Sequence, residues 1–418
     1  MPGNGQQAEG GLASTMEDCR GTPCGTARLF DRYRFSAARY SSYPLPGTFT
    51  AGFGPGDLRA ALAARARFSA RRPLALAVQL DASGIDTDGY LHAIHREAAM
   101  LRALTGDDKP HAIGMHGPSA TLAVDARFGL LLDSLEETFG CPDASRLVEI
   151  DAKHASASVL GALHGSGFVH VRLRCADAQD ETALPVAFGN AASVLGVPAD
   201  VSLSHGRTGQ TPAALSAGVE HAVRAGARCI VLTGEEARPG APGACLLASA
   251  IDTLCAAGYE NAGLDVFVAG GLRNGSPFRS RYDVLGLGAG ATTACADIYA
   301  QNDSRGGAYA AALRASLFAV VRGHRLSADD MLRRDIIHSL ECLGTVSFSS
   351  VEYKYGVVFE RYFAPQLAAL EEMQSAGLIE LFEDAIEVTP AGRPVVRLVA
   401  AVFDRYLEPS IAIETEKA

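Results

Sequence analysis

The feature that most constrains this chain is a repeated change of hydrophobic period. Six short β-favouring runs, at 74–80, 112–115, 146–150, 168–173, 200–203 and 228–232, alternate with longer stretches whose apolar side chains recur at i, i+3 and i+4. The helical stretches are clearest at 90–104, 128–139, 183–195 and 211–224. Repeats of this length predict an α/β fold with a parallel sheet, because parallel neighbours need a crossover long enough to hold a helix. Periodicity alone leaves an open sheet, a full barrel and a partial barrel available. In each, right-handed crossovers bring the functional loops to the carboxyl ends of the strands. His116, Glu149, Cys175 and His205 fall at those ends.

The flanks have a different texture. Residues 1–28 are rich in Gly and small polar side chains, have no apolar period, and read as a disordered tail. Residues 29–72 form a leading segment, 73–326 the strand–helix body, and 327–418 a helical domain with one short β-ribbon. In that last domain Ser349 and Glu352 are spaced as a capping box, and a helical pattern over 363–376 stops at Gly377. Strands at 378–382 and 385–388 flank a Glu-Asp turn, and a final helix is expected over 393–407. Three helices with a β-ribbon predict a winged-helix-like module. Its third helix carries Glu371 and Glu372 and almost no basic residues, so packing or a lid role is expected rather than reading of a DNA groove.

Composition narrows the function classes. The 418 residues are 48% hydrophobic and 20% charged, enough to build a sizeable core. A net charge of -10 argues against nucleic acid or an anionic membrane as partner. No apolar stretch reaches the roughly 20 residues that span a bilayer. The first residues lack a secretion signal, so a cytoplasmic location is expected. The nine cysteines are odd in number, scattered and without a C-x-x-C pair, which fits free thiols better than a disulfide framework. Cys19 and Cys24 are the tightest pair, and two thiolates fall short of the usual ligand set of a structural metal site.

Several segments carry a more specific signal. They are Arg39-Tyr40-Ser41-Ser42-Tyr43-Pro44, Asp283-Val284-Leu285-Gly286-Leu287-Gly288, Tyr299-Ala300-Gln301-Asn302 and Leu332-Arg333-Arg334-Asp335-Ile336-Ile337. Thr389-Pro390-Ala391-Gly392-Arg393 and Phe403-Asp404-Arg405-Tyr406-Leu407 follow near the end. Together they resemble signatures of the oxygen-independent coproporphyrinogen III dehydrogenases (oxidases), a radical S-adenosylmethionine (SAM) family, over roughly residues 30–410. The resemblance implies a radical-SAM-type partial six-unit (βα) barrel with a C-terminal helical, winged-helix-like domain. It also implies oxidative decarboxylation of two propionates of coproporphyrinogen III to vinyl groups. That chemistry uses a 4Fe-4S cluster on three cysteinates, with one iron open to SAM.

The chain departs from the family where the chemistry sits. The C-x-x-x-C-x-x-C loop implied after the first strand reads Asp81-Ala82-Ser83-Gly84-Ile85-Asp86-Thr87, without a cysteine. The Gly-Gly-Thr-Pro turn has become His116-Gly117-Pro118-Ser119, and Gly-Val-Gln has become Arg174-Cys175-Ala176. Ser202 stands at the family's Asp, Glu235 at a small residue and Phe188 at an Arg. Gly117, Glu149, Asp151, Gly206, Gln210 and Thr211 remain as positions of the implied SAM pocket. No 4Fe-4S cluster and no catalytic residue are expected, and SAM loses most of its contacts.

Other residues admit two readings each. His116, Cys175 and His205 are candidate ligands for a metal or a haem iron, or fill space left by a missing cofactor. Glu149 and Asp151 are two apart on a strand and share a face, as an acid/base pair or as a retained carboxylate without a new task. Arg39, Arg172, Arg174 and Arg207 are candidate partners for propionates, with plain solvation as the competing reading. Gly286, Gly288 and Gly290 fit close packing better than a dinucleotide loop. The expected function is a catalytically silent relative that binds a porphyrinogen, porphyrin or haem as a carrier or regulator. The alternatives are an active dehydrogenase with a rebuilt Fe-S site, and a non-catalytic partner of an active family member.

Overall fold

The computed structural model describes residues 25–32, 43–65, 72–80, 85–117, 122, 125–168, 170–175, 183–196, 199–206, 209–234, 243–263, 265–270 and 282–407. Two leading helices, α1 (Gly25–Arg32) and α2 (Pro55–Arg65), precede the body. Six strands then run parallel, each paired with its neighbour in sequence: β1 (Leu74–Gln79), β2 (Pro110–His116), β3 (Ser145–Asp151), β4 (His170–Cys175), β5 (Asp200–His205) and β6 (Cys229–Gly234). The crossovers hold α3 (Thr87–Thr105), α4 (Ala126–Phe139), α5 (Ala157–Gly165), α6 (Ala183–Leu195) and α7 (Pro212–Arg224), and α8 (Gly243–Ala256) follows β6.

The sheet is wider than the periodicity implies. Beyond β6 come β7 (Tyr259–Gly263) and β8 (Val266–Ala269), and before β1 stands β9 (Asp283–Leu287), which pairs parallel with β1 as a seventh parallel strand. β10 (Thr292–Cys295), β11 (Ile298–Asn302), α9 (Gly306–Arg314) and β12 (Val320–Arg325) complete a twelve-stranded sheet of order β12-β11-β10-β9-β1-β2-β3-β4-β5-β6-β8-β7. These added strands are short or pair antiparallel, so no strand–helix period marks them.

Strand alternation sorts the parallel strands into two faces. Leu76, Val78, Met115, Val148, Ile150, Leu173, Leu203 and Leu232 lie on the outer face and are buried in one core with the helices. The apolar stripes of α3 (Leu91, Ile94, Leu101) and α4 (Phe128, Leu131, Leu135) meet that face. Asp86 and Asp125 cap these two helices, their carboxylates accepting from Gly89 N and Arg127 N. The inner face is what remains: small residues low in the barrel and polar ones towards the carboxyl ends.

The C-terminal domain holds α10 (Ala328–Cys342), β13 (Thr345–Ser347), α11 (Phe348–Tyr355), α12 (Phe359–Tyr362), α13 (Ala364–Ser375), β14 (Ile379–Leu381), β15 (Ala385–Val388) and α14 (Val396–Ala401). Its sheet has the order β13-β15-β14, one strand more than the expected ribbon. The helix after β13 is capped by Ser347, not Ser349, and the last helix is shorter than expected. At the other end α1 starts at Gly25, inside the stretch read as tail; Phe30 is buried and the Thr26 hydroxyl donates to Asp252 of α8. Cys245 is disulfide-bonded, a departure from the expected thiols, whereas Cys141, Cys175, Cys229, Cys255, Cys295 and Cys342 form no disulfide. Among the described residues no helix is long and apolar enough to cross a membrane.

Candidate functional site on the inner face of the barrel

In a parallel sheet, residues in register share a face, so the pairings themselves draw the site. Gln79, His116, Glu149, Arg172 and Asp200 lie in one row across β1 to β5. One step towards the carboxyl ends, Asp151, Arg174, Ser202 and Val231 form the next row, and Ser204 with Thr233 the last. The inner face is therefore polar where the outer one is aliphatic. Ser202 and Thr233 exchange a hydroxyl hydrogen bond of 2.8 Å, and Arg172 Nη1 stands 3.9 Å from Glu149 Oε2. Burial lowers the pKa of His116, and Arg172 and Arg174 add to that against the pull of Glu149. The imidazole is thus neutral near pH 7.

The expected pocket residues divide into two carboxylates on the inner face, Glu149 and Asp151, and several residues that hold turns. Asp151 caps a short 3-10 turn, accepting from Lys153 N at 3.2 Å, and pairs with the Lys153 ammonium at 3.5 Å. The two carboxylates share a face, and each lies beside a different cation, Glu149 by Arg172 and Asp151 by Lys153. Gly117 and Gly206 have φ of 71° and 90°, which a side chain rarely adopts, where the chain turns off β2 and β5. Gln210 knits the second turn: its amide nitrogen donates to Ser204 O at 2.9 Å and its oxygen accepts from Gly206 N at 3.0 Å. Thr211 caps α7, accepting from Ala214 N at 3.2 Å.

The three candidate metal ligands do not converge. Cys175 is in register with Leu203, and alternation puts His205 on that same outer face, away from His116. Both are buried, at 5% and 1% exposure. Burial, with Arg397 adding, pushes the His205 pKa down to about 4, and neither ring nitrogen has a hydrogen-bond partner. Among the described residues no group of three His, Cys, Asp or Glu could hold a metal ion.

The donor set does not fit a 4Fe-4S cluster either. Cys141 precedes β3, Cys229 opens β6 and Cys295 lies beside the start of β9, all at the amino end of the parallel strands. Burial pushes the Cys141 thiol up to about 11 and raises Cys295 further, so both hold their protons where cluster ligation needs thiolates. Among the described parallel-strand residues, Cys175 is the cysteine at the carboxyl end, and it lies on the outer face. Residues 81–84 of the loop after β1 lie outside the described residues, as do Cys19, Cys24, Arg39, Arg207 and Glu235.

The segments that carry the resemblance turn out to be latches. Asp283 accepts from Arg65 Nε at 2.7 Å, tying α2 to β9. Asn302 donates to Glu97 Oε1 at 2.7 Å and to Gly288 O at 3.0 Å. A Cβ on Gly286 would stand 2.6 Å from the Thr292 backbone, and one on Gly288 2.4 Å from Gln79 O, so close packing explains both glycines. Tyr43 donates to Asp330 at 3.0 Å, and Arg334 Nη1 to Ala296 O at 3.0 Å. Ser204 and Thr233 are the site residues that sequence reasoning missed, while Ser202 was named only as the replacement of the family's Asp; the alternation of Asp200-Val-Ser-Leu-Ser-His205 was the available signal.

Known proteins share this arrangement. Residues 326–395 match the HemN C-terminal domain. The oxygen-independent coproporphyrinogen III oxidase of Salmonella typhimurium is 27% identical over 91% of this chain and 95% of its own length. That of Pseudomonas aeruginosa is 28% identical over 92% and 96%. The structure of coproporphyrinogen III oxidase (HemN) from Escherichia coli, a radical SAM enzyme, superposes with a TM-score of 0.74 over 88% of this chain and 97% of that one, at 24% identity. The chain is therefore a homologue of the oxygen-independent coproporphyrinogen III oxidases, with a radical-SAM-type barrel and a HemN C-terminal domain.

Proposed function

We propose that this chain works in haem (tetrapyrrole) metabolism by binding a porphyrinogen, porphyrin or haem, as a carrier or regulator, without radical chemistry. One observation carries the reading: the segment after β1 holds no cysteine, and the buried thiols stand at the opposite end of the strands or on the outer face. The relatives that match nine-tenths of the chain are named for coproporphyrinogen III, which makes a tetrapyrrole the favoured ligand class.

The test is anaerobic reconstitution with iron and sulfide, a SAM-cleavage assay, and then a porphyrin titration. We expect no specific iron, no acid-labile sulfide, no 5′-deoxyadenosine, and saturable porphyrin binding in the micromolar range. About four irons and four sulfides per chain, with cleavage of SAM, would overturn the non-radical reading. Failure to bind any tetrapyrrole would remove the carrier role, and co-purification with an active oxidase would then point to a partner role.

A further inference from the structure

We infer that Arg172 and Arg174 form a carboxylate-binding pair on the inner face of the barrel, at the carboxyl end of β4. The inference deepens the proposed function and takes its ligand class from it. The two arginines are two residues apart on one strand, so their side chains leave the same face, with Cα atoms about 7 Å apart. Arg172 is 7% exposed, yet among the described residues its Nε and Nη2 have no hydrogen-bond partner, and neither has Nε of Arg174. Glu149 Oε2 is 3.9 Å from Nη1, too long for a hydrogen bond, and Asp200, in register with Arg172, feels its charge. Asp151, in register with Arg174, is already engaged by Lys153.

Buried guanidinium N–H groups without an acceptor are rare, because water has been removed and nothing has replaced it. An ionised carboxylate supplies what is missing. Its two oxygens match the planar fork of an arginine, and its charge offsets the buried cation. Ser202 and Ser204, on the adjoining strand, add hydroxyls to the same face. His116 in the row beside them is neutral, which leaves the anion to the arginines. Arg174 also stands where the resembling family has the glycine of Gly-Val-Gln, so a cation occupies a position that is bare of side chain there. The carboxylate could be a tetrapyrrole propionate or the amino-acid end of SAM.

Titration of the full chain with coproporphyrin III, its tetramethyl ester and SAM separates these sources. Wild type is compared with Arg172→Gln and Arg174→Gln, with thermal midpoints to confirm folding. We expect each variant to bind coproporphyrin III about tenfold more weakly or worse, and the uncharged ester as wild type does. Equal binding of coproporphyrin III by wild type and variants would overturn the arginine pair and leave the carrier reading standing. Binding of SAM alone, weakened by the substitutions, would keep the pair and remove the tetrapyrrole. Binding of neither ligand removes both. Should Arg172→Gln not fold, the half-buried Arg174→Gln decides alone.

Discussion

Glu97 is buried in α3 and accepts from Tyr309 Oη and Asn302 Nδ2 at 2.7 Å each and from Gly288 N at 2.9 Å. Burial outweighs these bonds and pushes its pKa from 4.5 up to about 7. A raised carboxylate stabilises the fold fully below its unfolded pKa, and that contribution is lost as pH rises through about 7. His205 and His338 act oppositely. Burial pushes each down to about 4, so acidification below about 6.5 charges them in the unfolded chain first and costs stability. Each of these shifts corresponds to something on the order of 3 kcal/mol across its window. Glu97→Gln should therefore lose stability more steeply between pH 7 and pH 5 than wild type, and His205→Leu less steeply. Urea midpoints at the two pH values measure both. Identical slopes for all three proteins would show that these groups are not buried as described.

At the scale of elements, α10 shows how local sequence and distant contacts combine. Ser327 and Asp330 form its capping box: Asp330 N donates to Ser327 Oγ at 3.1 Å and Ser327 N to Asp330 Oδ2 at 2.9 Å. The other carboxylate oxygen accepts from Tyr43, about 290 residues away in sequence. Burial pushes the Asp330 pKa up, but the bonds from Ser327, Tyr406 and Tyr43 together hold it below the usual range. Ser327→Ala should cost about 1 kcal/mol as a lost cap. Tyr43→Phe should cost about 1–2 kcal/mol by leaving a buried carboxylate oxygen short of a donor. Both are read from urea midpoints, and a neutral Tyr43→Phe would mean that the leading segment is not clasped to α10. The sequence pointed to Ser349 and Glu352 as a capping box, yet Ser347 caps that helix, Glu352 instead accepts from Phe359 N at 2.8 Å, and the box that forms is Ser327 with Asp330. Pattern alone could not separate Ser347 from Ser349, because which serine sits at the helix start depends on where β13 ends.

Across the whole molecule, the C-terminal domain spans from one part of the twelve-stranded sheet to another. Arg334 of α10 holds the turn between β10 and β11, while Arg397 of α14 pairs with Asp265 at the start of β8. That ion pair is 3% and 8% exposed, so removing one partner strands the other charge. Arg397→Met should cost about 3–5 kcal/mol and speed hydrogen exchange in β7 and β8 before other strands. Uniform exchange across the sheet would show that α14 does not brace that edge. Tyr43, Asp283, Asn302 and Arg334 of the resembling segments make their contacts along this junction and around β9. They are long-range latches, and for that reason they identify a scaffold more securely than a reaction.

The sequence by itself determined the six parallel strands and their helices, because burying an apolar face imposes a period that can be counted. It also determined that the segment after the first strand carries no cysteine, which needs no coordinates to be recognised. Only the tertiary structure decided which residues share the interior. Neighbouring residues on a strand face opposite ways, so His116, Cys175 and His205, all at strand ends, are divided between two faces by their register. The same register aligned Gln79, His116, Glu149 and Arg172 across four strands and left Arg172 and Arg174 with donors that find no acceptor among the described residues. Pairing between strands far apart in sequence is a non-local fact, and a period read along one strand does not contain it.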